Sequence, residues 1–293
     1  MRYLSLFILT LLICSCEDVV DVNLDDDEPR LIVDALIRID TSQELTSANI
    51  RVSLSSSFFG EIEPALIESM EMQNSDSNSS VPYEPIPGEP GLYRPYFIAG
   101  SPVSNNMIQT SWLTNSEETI TLLVRYDNQS HLARTSFVPS VPIDNLEQGD
   151  GELFSDDTTE VMITYTDVEG RDDFYVIDFD FNEFIASEDR FYSGQQFSFS
   201  YFYDEQLQSG QEVNISILGA DQSFFDYMNG LLEQSQQGQN GPFQTPTATV
   251  RGNFLNTTGI DDLDTFDNID RPDDFILGYF SLSEEHKSSI VIE

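Results

Sequence analysis

The sequence predicts a mainly β protein built as two β-sandwich-like domains, the second carrying one amphipathic helix. From Arg30 onward, apolar residues recur with period two in short runs separated by Ser, Asn, Pro and Gly clusters. That spacing puts alternate side chains on opposite faces of a strand. A single stretch, residues 221–236, carries a helical period instead. Between the two sets of runs, PSVPIDNLEQGDGELFSDD at 139–157 is rich in Pro, Gly and acids and has little periodicity, the composition of a linker.

The chain opens with Met1, Arg2 and the apolar run YLSLFILTLLI at 3–13, which has the form of a secretory signal and is too short to cross a bilayer as a stable helix. The only cysteines, Cys14 and Cys16, follow at once. One intervening residue makes a disulfide between them strained. A zinc site would need four donors, and His131 and His286 stand far off without ligand spacing. Ile13-Cys14-Ser15-Cys16 reads as a lipobox and is similar to bacterial lipoprotein precursors. That resemblance implies lipidation of Cys16, removal of residues 1–15, and anchoring through several acyl chains at about 0.8 kcal/mol per buried CH₂. Residues 16–29 then form an acidic, lipid-anchored tether. Glu17 and Asp18, directly behind Cys16, resemble the export signals that send some Bacteroidota lipoproteins to the outer face of the outer membrane.

The N-terminal domain, residues 30–138, is expected to be Ig-like or transthyretin-like. Its strands are RLIVDALIRI (30–39), ANIRVSLS (48–55), LIESMEMQ (66–73), GLYRPYFI (91–98), ETITLLVRYD (118–127) and HLARTSFV (131–138). Asp127-Asn128 between the last two marks a tight hairpin. After the linker, residues 158–293 form a β-rich domain with strands at 160–167, 173–182, 195–204, 211–218, 248–256, 275–282 and 288–293. In the expected helix 221–236, Asp221 caps a stripe of Phe224, Phe225, Tyr227, Met228, Leu231 and Leu232 that packs on the second sheet. Gly230 in its interior costs about 1 kcal/mol relative to Ala.

Charge narrows the functions. The chain has 52 acidic and 12 basic residues, a formal net charge of -40, and Lys287 as its only lysine. Nucleic acid is excluded as a partner, because phosphate neutralisation needs clustered Lys and Arg. Anionic headgroups are disfavoured too, which leaves the acyl chains as the membrane contact.

EPRLIVDALI (28–37), PGLYRP (90–95), VPSVPIDNL (138–146), GPFQTPTATVRGNFLN (241–256) and ILGYFSLSEE (276–285), behind the lipobox, resemble the lipoproteins of domain-of-unknown-function family 4249. The resemblance spans the mature chain. Two departures are Ala35, where that strand commonly has Gly, and Gly241 between Asn240 and Pro242, where the family tends to have Asn-Pro-Phe. The resemblance implies a Bacteroidota envelope protein, with a TonB-dependent outer-membrane receptor as a possible partner, and no activity to carry over.

The sequence lacks Gly-x-Ser-x-Gly, His-Glu-x-x-His and P-loop motifs, so no enzyme and no cofactor are expected. The densest acid cluster, DDLDTFDNIDRPDD at 261–274, fails the EF-hand template. It reads as a solvated loop, with Asp262, Asp264 and Asp267 as weak metal candidates. The expected function is a non-catalytic accessory or binding lipoprotein, lipid-anchored at the bacterial outer membrane and facing the cell surface. Alternatives are a free-standing binder of glycan, peptide or divalent cation that uses exposed aromatics in SFSYFYDE (198–205), and a carboxylate-based envelope hydrolase.

Overall fold

A computed structural model describes residues 29–56, 62–116, 119–150, 158–189, 194–203, 206–237, 249–260, 268 and 274–293. The chain begins with β1 (Leu31–Ile39), β2 (Leu45–Thr46), β3 (Ile50–Leu54), β4 (Glu63–Pro64), β5 (Ser69–Asn74), β6 (Ser79–Pro85), β7 (Leu92–Pro95), β8 (Val103–Ser104) and β9 (Met107–Gln109). A five-residue helix, α1 (Thr110–Thr114), precedes β10 (Ile120–Tyr126), β11 (Gln129–Thr135) and β12 (Phe137–Val138). Next come β13 (Ile143–Gln148), β14 (Thr159–Thr166), β15 (Phe174–Asp178), β16 (Phe184–Glu188), β17 (Gln196–Tyr203) and β18 (Glu212–Ala220). Helix α2 (Gln222–Gln237), β19 (Leu255–Asn256) and β20 (Leu277–Val291) complete the described chain. The protein is mainly β, as its periodicity predicts.

One large sheet runs β16-β15-β18-β20-β1-β3-β7-β6-β5-β10-β11-β19, with β12 against β20 and β4 against β3. In β1 the alternation of LIVDALIRI buries Leu31, Val33, Ala35, Ile37 and Ile39. These side chains meet Met70, Met72, Ile120, Leu122 and Val124 from β5 and β10 in the first core, so the sheet folds over on itself. The hairpin turn between β10 and β11 is Asp127-Asn128, with φ of 49° and 57°. Positive φ at both central residues makes it type I′, the turn whose twist suits two strands.

The small sheet β13-β14-β17 lies against the other end of the large sheet. Between them Val161, Ile163, Tyr165, Tyr175, Ile177, Phe179, Val213, Ile215 and Ile217 form the second core. On the opposite face of β15 and β18, Val176, Leu218 and Ala220 pack with Phe224 of α2 and Tyr279 of β20. Helix α2 starts where expected, the Asp221 carboxylate accepting the Phe224 N–H at 2.7 Å. Its stripe grips the sheet through Phe224, Phe225, Tyr227 and Met228, while Leu231 is exposed. Gly230 has a packing reason: a Cβ there would stand 3.1 Å from Val250.

The segment 139–157, read as linker from its composition, is part of the fold over residues 139–148. Val141 is buried in the second core and Ile143 and Leu146 pack against it, while β13 pairs with β14. Pro139 passes so close to β18 that a Cβ on Gly219 would stand 2.4 Å from the Pro139 carbonyl oxygen.

The halves also share a strand. Residues 277–284 of β20 run parallel to β1, and residues 285–291 run antiparallel to β18. Arg38 on β1 fastens this joint, reaching Asp178 of β15 at 2.7 Å and Glu285 of β20 at 3.2 Å. Beside β20, Asn253 imitates a neighbouring strand. Its Nδ2 donates to the Phe280 carbonyl at 2.8 Å and its Oδ1 accepts the Phe280 N–H at 2.9 Å.

Candidate functional site

Cys16, Glu17, Asp18, Asp262, Asp264 and Asp267 all lie outside the described residues. The aromatic run of β17 is placed, and it corrects an expectation. Phe197, Phe199 and Tyr201 pack against the second core and Tyr203 is buried in it. Tyr201 stacks on Phe179 at 4.1 Å, and the Tyr203 hydroxyl donates to the Phe179 carbonyl at 2.8 Å. These rings hold β14 and β17 onto the large sheet and do not form an exposed glycan platform. Trp112, the sole tryptophan, is likewise inside, its Nε1 donating to Ser79 Oγ at 2.8 Å.

Two clefts stand out. The larger, about 560 Å³, is bordered by Thr41, Gln43, Glu44, Ser104, Gln109 and Ser111. Its lining offers hydroxyls, amides and the Glu44 carboxylate beside the apolar Leu45, with no cationic side chain among them. The second, about 400 Å³, is formed by Arg30 and Leu31 at the entrance to β1, Tyr126, Asp127 and Gln129 of the hairpin, His131, and Asp274 to Ile276 before β20.

The chemistry gathers in this second cleft. His131 pairs with Val124 across the hairpin, so its side chain falls on the inward face with Ala133 and is only 2% exposed. Burial pulls its pKa down to about 4, with Asp274 opposing the shift, so at neutral pH the imidazole is uncharged. Its Nδ1 has no hydrogen-bond partner. Asn256 donates to Asp274 Oδ1 at 2.7 Å and Gln129 Oε1 at 3.0 Å. The Phe275 ring lies under the guanidinium groups of Arg30, at 4.2 Å, and Arg251, at 4.1 Å. Sequence reasoning passed over His131 because a lone histidine between Ser130 and Leu132 gives no local signal.

A buried imidazole, a carboxylate, an amide and a cation-flanked aromatic wall can hold a polar or aromatic ligand. The lining contains no serine, threonine or cysteine nucleophile. Among the described residues no three His, Cys, Asp or Glu side chains form a ready metal site.

The depressed pKa makes a stability prediction. An unfolded histidine titrates near 6.5, so as pH falls from 7 toward 4 the unfolded chain gains a proton that folded His131 resists. The contribution is present above about 6.5 and lost through the acid range, at most about 3 kcal/mol. His131→Gln should therefore lose less stability than the wild type between pH 7 and pH 5 in thermal unfolding. Parallel pH profiles for the two proteins would contradict it.

No curated protein and no solved structure matches the chain. A family model, described as Domain of unknown function (DUF4249), matches residues 17–289. With nearly its whole length covered, including most of the strand that joins its halves and every residue of the His131 cleft, the chain belongs to the DUF4249 family.

Proposed function

We propose that this protein is a lipid-anchored, non-catalytic accessory or binding module on the outer face of the bacterial outer membrane, and that it works beside a TonB-dependent receptor. The observation that carries the reading is the order of Cys16, the acidic stretch 17–29 and the fold. The lipobox supplies the anchor, and the chain enters the folded body at Pro29 to Leu31, the rim of the His131 cleft. Thirteen residues at full extension reach about 45 Å at most, so the cleft works within that distance of the lipid surface, at the height of a receptor's outer loops.

Cys16→Ala should release the protein from the membrane fraction or leave it as uncut precursor, and Cys14→Ala should do neither. Protease added to intact cells should digest the wild-type chain. Solubilised in mild detergent, the protein should bring a barrel protein with it. A Cys16→Ala protein that stays processed and membrane-bound would remove the anchor from the proposal. Ligand capture with no barrel partner would favour a free-standing binder, for which the partnerless Nδ1 of His131 is the specific support.

A further inference from the structure

Among the described residues, Leu66 and Ile62 are the two most exposed large apolar side chains, at 79% and 67%. They flank the short strand β4, where Pro64 is exposed as well, while Ala65 is buried in the first core. Alternate residues of an extended chain point to opposite sides, so Ile62, Pro64 and Leu66 share the outward one. Together they form an apolar strip about 13 Å long.

The strip is held by its backbone. The Ala65 N–H donates to Val52 O at 3.1 Å, the Ile67 N–H to the Tyr93 hydroxyl at 3.0 Å, and the Glu68 N–H to Arg125 O at 2.8 Å. A Cβ on Gly91 would stand 2.9 Å from Pro64 Cβ, so β4 rests directly on the turn before β7. Ile62 and Leu66 cannot turn inward without breaking these contacts, and their contact with water stays unfavourable until something apolar covers them.

Strand register sets the strip beside the tether. Leu31 pairs with Leu54, and Leu54 with Glu63, in one row about 10 Å wide across three strands. One step beyond this row, the Arg30 N–H donates to Ser55 Oγ and the Ser55 N–H to Arg30 O, both at 2.8 Å. Because β3 runs antiparallel to both neighbours, Ile62 extends past the same end as Arg30. The chain coming from Cys16 joins the fold at that end.

We propose that Ile62, Pro64 and Leu66 rest in the lipid surface to which Cys16 is anchored, so that the body lies on this flank instead of standing off at the length of its tether. This contact rests on the lipid anchor of the preceding section. The anchor makes the second contact intramolecular, so a strip too small to bind a membrane alone is sufficient once tethered. Its side chains enter about 5–10 Å into the boundary between headgroups and acyl chains. Glu63 and Glu68 border the strip and repel anionic headgroups, so the lipid it suits is zwitterionic.

The test uses the full-length, lipid-modified protein, returned from mild detergent to phosphatidylcholine vesicles whose acyl chains carry bromine, a contact quencher of indole. Trp112 is buried, so wild-type emission should be the same with and without bromine. Leu66→Trp and Ile62→Trp should each lose most of the added emission and shift it to the blue. Val291 is 58% exposed and lies at the far end of β20 from Leu277, the partner of Ile32, so Val291→Trp should be unquenched. Adding Leu66→Asp to Ile62→Trp should restore the emission of the new indole. Protein that floats with the vesicles while Leu66→Trp and Ile62→Trp stay as bright as in lipid without bromine would overturn the proposal and leave the anchor standing. Quenching that is equal at Val291→Trp, or that survives Leu66→Asp, would overturn it too, because the contact would then not be made by the strip. Protein that does not float at all would remove the anchor and this contact with it.

Discussion

Gly278→Ala should destabilise the fold by about 3–5 kcal/mol, combining overpacking with a left-handed backbone. Gly278 has φ of +95°, and a Cβ there would stand 2.0 Å from the Val33 carbonyl oxygen. Neither that oxygen nor Gly278 can move aside, because both belong to the parallel pairing of β1 with β20. The other side is closed too, since a Cβ on Gly252 would stand 1.5 Å from the Gly278 carbonyl oxygen. Damage at this point reaches both halves, because β20 serves both. Urea unfolding or the yield of soluble protein reads the effect. Gly88→Ala is the control: φ is +87° there, but nothing lies within 4 Å of the new methyl. That substitution should cost about 1–2 kcal/mol from backbone strain alone. Equal losses for the two variants would show that the crowding around Gly278 is not what matters.

This crowding gives physical content to two motifs that the sequence offered only as resemblance. In RGNFLN and ILGYFSL, Gly252 and Gly278 let two backbones touch, and Asn253 supplies the hydrogen bonds of an absent strand to Phe280. None of this was legible in period-two counting, because it lies between segments some 25 residues apart. Periodicity located β1, β10, β14 and β17 because each has one face in a core, and β18 by its β-branched run although both of its faces are packed. It missed β6, where Pro82 and Pro85 argue against a strand. In the fold, β6 changes partner there, pairing with β5 up to Pro82 and with β7 from Tyr83.

β20 was read as two strands because the polar Glu284 to Lys287 interrupt its apolar run. Those residues fall where the strand passes from its β1 neighbour to β18. Helix α1, five residues long, is too short to show a helical period. The His131 cleft was hidden because pairing across distant strands brings its members together, and because a chain with 52 acids makes Asp274 uninformative taken alone.

The same excess of acid makes salt a strong determinant of stability. Arg38, Arg94, Arg125 and Arg171 each meet a carboxylate, but 12 basic residues cannot match 52 acidic ones, so repulsion among carboxylates outweighs their pairing with cations. Unfolding moves these charges apart, and electrostatic repulsion therefore favours the unfolded chain. Raising ionic strength from 0.1 M to 1 M shortens the screening length from about 10 Å to about 3 Å. Burial of Val161, Tyr175, Phe280 and the rest of the cores is not screened. Salt also weakens the few ion pairs, yet Arg38 holds Asp178 and Glu285 in partly shielded positions, and these pairs are far fewer than the repulsions. The melting temperature should therefore climb by several degrees between low salt and about 0.5 M NaCl, at roughly 2–4 °C per kcal/mol for domains of 150–250 residues. KCl should do the same, since screening depends on ionic strength and not on the identity of a monovalent cation. A melting temperature flat across both salts would mean that the acids are already spaced widely enough to leave little repulsion. A rise with only one of the two cations would mean binding at a site, not screening.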